Sequence, residues 1–88
     1  MKRVRVVVHG EVQGVFFRDT VRRAAADHGV AGWVRNHPNG SVEAVLEGTE
    51  DAVNAVVAVC RKGPPSARVG EVELTAEEPE GLEGFEVR

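Results

Sequence analysis

The sequence predicts an α+β fold in which two helices cover one face of an antiparallel sheet. Three observations carry that expectation. Short Val-rich stretches alternate in polarity like strands, two longer stretches carry apolar residues at helical spacing, and an Asn39-Gly40 turn separates two of the strand candidates.

In chain order, Val4, Val6 and Val8 alternate with Arg3, Arg5 and Val7, a strand with one better-buried face. Gly10 and Gly14 bracket a loop, GEVQG, which interrupts the alternation. From Phe17 the period changes: Phe17, Val21, Ala24, Ala25 and His28 recur as one helical face, and Gly29 suits a left-handed stop. Val30 to Asn36 reads as a second strand, His37-Pro38-Asn39-Gly40 as a hairpin turn, and Val42 to Leu46 as the returning strand. Thr49 can cap a second helix whose first turn carries Glu50 and Asp51, where the helix dipole favours acids. Its apolar stripe is Ala52, Val53, Val56, Val57 and Cys60, and Gly63-Pro64-Pro65 ends it. Val72 and Leu74 mark a fourth strand, and Phe85 and Val87 a short last one. The order βαββαβ, plus a short C-terminal strand, is the ferredoxin-like α+β sandwich. That architecture hosts many unrelated activities, so function has to be argued from a site.

A single domain spanning 1–88 is expected, because the 88 residues are too few for two cores. A hydrophobic fraction of 42% excludes a disordered chain, and no apolar run reaches the ~20 residues of a membrane span. Arg3 and Arg5 interrupt the early Val run, which excludes a signal peptide, so a cytoplasmic monomer is the expectation. A net charge of −3 argues against nucleic acid as partner. Cys60 is the sole cysteine, which excludes an internal disulfide and a multi-Cys metal site.

The segment Gly10-Glu11-Val12-Gln13-Gly14-Val15-Phe16-Phe17-Arg18 joins the first strand to the first helix. Backbone N–H groups at a helix N-terminus lack intrahelical partners and, with the dipole, favour an anion. Gly14 can adopt angles that make several N–H groups converge, and Arg18 adds a permanently charged planar fork suited to phosphate oxygens. By spacing alone the segment reads equally as an oxyanion cradle and as a plain glycine turn with a surface Arg. It lacks the Lys of a P-loop.

The stretch GEVQGVFFR resembles the acylphosphatase signature Gly-x-Val-Gln-Gly-Val-x-Phe-Arg. A second block, Gly32-Trp33-Val34-Arg35-Asn36 followed by Gly40-Ser41-Val42, is similar to that family's Gly-aromatic-Val-x-Asn-x-x-x-Gly-x-Val. The resemblance spans the chain and departs at no motif position. It implies a hydrolase that cleaves the carboxyl–phosphate bond of a small acyl phosphate. It further implies that the loop backbone from Gln13 through Gly14, Val15, Phe16 and Phe17 to Arg18 binds the phosphoryl group, that Arg18 holds phosphate oxygens, and that Asn36 orients the attacking water. No metal, cofactor or covalent intermediate is implied. The chemistry suits that economy, because the leaving carboxylate has a parent acid of pKa ~4 and departs without a general acid.

Other residues carry blander readings. An Asn before a His-Pro turn, such as Asn36, often bonds only local backbone. His9, His28 and His37 match no zinc spacing, Cys60 reads as a small hydrophobe, and Trp33 as half-buried sheet or a wall of the site. Glu77, Glu78, Glu80, Glu83 and Glu86 read as solvated surface, and a C-terminal carboxylate at Arg88 as a candidate partner for Arg18. Two other functions are weighed against the enzyme. An RNA-binding sheet would need exposed aromatics and a basic face, whereas this chain has only Trp33 and three Phe and a negative net charge. A non-catalytic anion- or acyl-phosphate-binding module serving a larger assembly is the second alternative.

Overall fold

A computed structural model describes residues 1–88. The elements are β1 (Lys2–Glu11), α1 (Phe17–His28), β2 (Ala31–Asn36), β3 (Val42–Gly48), α2 (Glu50–Lys62), β4 (Arg68–Glu77) and β5 (Phe85–Val87). They follow the expected order, but β1 and β4 run to 10 residues each, longer than the Val alternation alone marks. The extra length comes from backbone pairing between the two strands, which continues past a register shift at His9/Gly10 to Glu11↔Arg68. Gly10 permits this close approach: a Cβ there would lie 2.2 Å from the Arg68 carbonyl oxygen.

One sheet has the order β4-β1-β3-β2-β5. The four long strands pair antiparallel, as the sequence predicts. The sheet is nevertheless mixed, because β5 pairs parallel with β2. A chain returning from the β4 edge over the far face of the sheet arrives beside β2 pointing the same way.

The core lies between the sheet and the helices. Val4, Val6 and Val8 of β1 meet Val42, Ala44 and Leu46 of β3, and the helices add Phe17, Val21 and Ala25, then Val53, Val56 and Cys60. The period-2 and period-3.6 stripes of the sequence are therefore the two sides of one core. Thr49 caps α2 by accepting from the Ala52 N–H at 3.3 Å. Gly29 ends α1 in a left-handed conformation, φ 68°.

The opposite face of the sheet is closed by charge, which the sequence does not advertise. Glu43 and Glu47 are buried there, as is Arg3. Glu47 accepts from three successive N–H groups, those of Glu80 at 3.0 Å, Gly81 at 2.6 Å and Leu82 at 3.0 Å, and pairs with Arg3 at 3.3 Å. Glu77 bridges Arg3 and Arg5 at 2.9 and 2.7 Å, so it is a structural ion and not the solvated residue expected. Glu80 and Glu86 also pair, with Arg3 and Arg88. Trp33 lies on this face beneath the guanidinium groups of Arg5, Arg35 and Arg88, whose central carbons stand 5.6, 5.2 and 4.7 Å from its ring centre. It does not line the cleft described below. His9 and His37 contact Glu73 and Glu43, at 2.6 and 2.8 Å.

Candidate active site

The loop between β1 and α1 is built around two left-handed residues. Gly14 has φ 73° and Phe16 φ 64°, and Phe16 is the only non-glycine residue with positive φ. Such alternation turns successive N–H groups toward one side of the chain. The first hydrogen bond of the helix runs from the Thr20 N–H to the Phe16 oxygen at 3.0 Å, reinforced by the Thr20 hydroxyl at 2.9 Å. The N–H groups of Gln13 to Phe16 donate to no main-chain acceptor, and those of Phe17 to Asp19 precede the first i→i−4 bond. A run of unspent donors at the positive end of a helix dipole results.

Beside this loop lies a cleft of about 580 Å³, lined by Val12, Gly14, Phe16, Phe17, Arg18, Asp19, Arg22, Asn36 and Val87. Of the residues singled out in the sequence, Gly14, Phe16, Phe17, Arg18 and Asn36 meet there. Gln13 and Val15 do not line it. Val15 packs against the core, and Gln13 turns its side chain to the hairpin turn. There the Gln13 amide donates to the carbonyls of His37 at 2.7 Å and Ser41 at 2.9 Å. The phosphate-loop candidate and the turn that follows Asn36 are thus held as one piece.

Arg18 extends from the first turn of α1, and its Nη1 donates to the main-chain oxygen of Arg88 at 2.9 Å. That contact spans the layer from helix to sheet edge and leaves the remaining guanidinium donors for a ligand. Asn36 ends β2, where its main chain pairs with Val42, and its side-chain amide bonds nothing in the protein. The local turn role belongs to Asn39, whose Oδ1 accepts from the Ser41 N–H at 3.0 Å and hydroxyl at 2.7 Å. Asp19 is the carboxylate at the cleft. Its hydrogen bond from Arg22, with Arg23 2.9 Å away, holds it below the usual carboxylate range, so it is a poor base.

Val12, Asp19, Arg22 and Val87 belong to the cleft without having been singled out in the sequence. Val87 could not have been, because only the parallel docking of β5 brings it there.

The acylphosphatase family model matches residues 4–87. The chain belongs to the acylphosphatase family. It is 60% identical over 89 residues to an acylphosphatase of Rubrobacter xylanophilus, covering 99% of this chain and 80% of that one. An acylphosphatase of Thermococcus kodakarensis is 55% identical, with 99% and 98% covered. The crystal structure of acylphosphatase from Bacillus subtilis shares the fold at a TM-score of 0.96 and 36% identity, covering 100% of this chain and 99% of that one. Membership makes this chain a hydrolase, on a fold that matches the family's solved structures.

Proposed function

We propose that residues 1–88 work as one metal-independent domain in which the cleft between the Gln13–Arg18 loop and Asn36 hydrolyses acyl phosphates. The run of unspent N–H donors beside Arg18 carries this reading. The loop N–H groups and the Arg18 guanidinium neutralise the equatorial oxygens of the phosphoryl group, the main requirement of phosphoryl transfer. The Asn36 amide oxygen accepts a hydrogen bond from water and holds it in line with the scissile bond. Water oxygen bonds to phosphorus, the phosphorus–acyl oxygen bond breaks, and its electron pair leaves on the carboxylate. The proton of the attacking water passes to a phosphate oxygen of the substrate, which frees the scheme from a protein base. Positive charge comes from Arg18 and the backbone, so the scheme has no step for a divalent cation. We further propose that the protein acts on a small molecule, as a monomer in the cytoplasm. No helix of the chain is long and apolar enough to cross a membrane.

The test is hydrolysis of benzoyl phosphate in EDTA by the wild-type protein, Arg18→Ala and Asn36→Ala, with inorganic phosphate as competitive inhibitor. Wild-type turnover should survive chelation. Arg18→Ala should lose about a hundredfold or more in kcat/KM and weaken inhibition by phosphate. Asn36→Ala should lose about a hundredfold in kcat while phosphate inhibition persists. Equal loss of phosphate affinity in the two variants would overturn this division of labour.

A further inference from the structure

The cleft is much larger than a phosphoryl group, and beyond the loop, Arg18 and Asn36 its wall combines apolar side chains with the Asp19–Arg22 pair. Phe16 is 78% exposed and Val87 42% exposed, two of the few large apolar side chains left in water, and both line the cleft. Phe16 is also in a left-handed conformation, φ 64° and ψ 25°, which is strained for an aromatic residue and free for glycine. The turn itself needs only glycine there, and the Phe16 side chain makes no cap of α1. Neither the loop geometry nor the core therefore accounts for the ring.

The charged side chains of this wall, Arg22 and Asp19, are paired with each other. Arg22 lines the cleft, but its guanidinium donates to Asp19 at 2.7 Å. An acyl group bearing a carboxylate would also face the like charge of Asp19 there. In an acyl phosphate the acyl carbon is one oxygen away from phosphorus. A phosphoryl held by the loop N–H donors brings its acyl group within reach of the exposed side chain that the loop itself puts in the cleft. That side chain is Phe16, fixed to the donors by the main chain itself.

We propose that Phe16, with Val87, forms the acyl subsite and makes Phe16 the residue that selects the substrate class: acyl phosphates with an aromatic ring or hydrocarbon chain over small ones. This rests on the assignment of the loop as the phosphoryl site. Burial of an aromatic acyl group against the ring corresponds to roughly tenfold in kcat/KM.

The test compares benzoyl phosphate with acetyl phosphate in the wild-type protein, Phe16→Leu and Phe16→Gly. The measured quantity is the ratio of kcat/KM for the two substrates, which cancels any change common to both. Phe16→Gly relieves the strained φ, so thermal melting should show a fold at least as stable as wild type. The benzoyl-to-acetyl ratio should fall about tenfold in Phe16→Gly and by less in Phe16→Leu, which keeps an apolar side chain. A ratio unchanged or raised in Phe16→Gly, with both substrates still hydrolysed, overturns the acyl subsite and leaves the phosphoryl assignment standing. Hydrolysis of neither substrate by the wild-type protein overturns the phosphoryl assignment and the subsite with it.

Discussion

The side-chain amide of Gln13 donates to the His37 carbonyl at 2.7 Å, across 24 residues of sequence, and to that of Ser41 as well. Both acceptors also close the hairpin turn, through Gly40 N–H to His37 and His37 N–H to Ser41. One amide thus ties the loop that offers N–H donors to the turn that follows Asn36. In the proposed reaction Gln13 sets the distance between phosphorus and the water on Asn36. It is a positioning residue through its side chain. Gln13→Leu should lower kcat about tenfold, the scale of buried hydrogen bonds left unmade. The sharper measurement is a double-mutant cycle. Asn36→Ala should cost less in the Gln13→Leu background than in wild type, whereas independent effects would simply add.

The charged face of the sheet predicts the response to acid. Burial works to raise the Glu43 carboxyl, but hydrogen bonds from Arg5, Arg35 and His37 outweigh it and hold it below its ordinary 4.5. The N–H of Glu80, with those of Leu82 and Gly81, holds Glu47 below 4.5 against burial, and Arg5 and Arg3 do the same for Glu77. Folded values below unfolded ones mean that the unfolded chain binds more protons in acid. The stabilisation is complete above pH 4.5 and is lost as pH falls through the lowered folded values. Thermal melting from pH 7 to pH 2 should show a level Tm down to this point and a fall below it. Glu47→Gln should lower Tm at neutral pH and make the acid fall shallower.

Thr49 sits at the opposite end of the sheet from the cleft, next to Gly48, which pairs with Lys2 at the start of β1. Thr49→Ala removes the acceptor for the Ala52 N–H and should cost about 1 kcal/mol of stability in urea unfolding. Its kcat and KM should match wild type. In contrast, Leu46→Ala empties a fully buried site in the middle of β3 and should cost about 2–5 kcal/mol. That is a large part of the roughly 5–10 kcal/mol expected for a domain of this size.

Cys60 is 1% exposed, and burial pushes its thiol up to about 12. It should be inert to a disulfide reagent at pH 8 in the native protein and react fully in denaturant. Rapid native reaction would show that α2 opens locally.

Residues that act together because they are contiguous were legible in the sequence. The Val alternation of β1, the stripe of α2 and the Asn39-Gly40 turn yielded the elements and their order. The Gln13–Arg18 segment could be read as a cradle for an anion because a helix start and its preceding loop bring their own N–H groups together. The two signature blocks placed Arg18 and Asn36 as candidates. Tertiary structure decided the partners, of which the sequence offers only the Arg18–Arg88 contact. Period-2 alternation assigns a residue to a face but does not say which strand will lie beside it. Only the order β4-β1-β3-β2-β5 sets Arg3 and Arg5 against Glu77, and the chain that crosses the far face against Glu47. Parallel docking of β5 brings Val87 to the cleft and the Arg88 oxygen to Arg18. The Glu-rich C-terminal stretch looks solvated because charges are cheapest in water. Fixed hydrogen-bond donors at long sequence separation reversed that for Glu77, and for Glu43 and Glu47 of β3, and no local pattern encodes such donors.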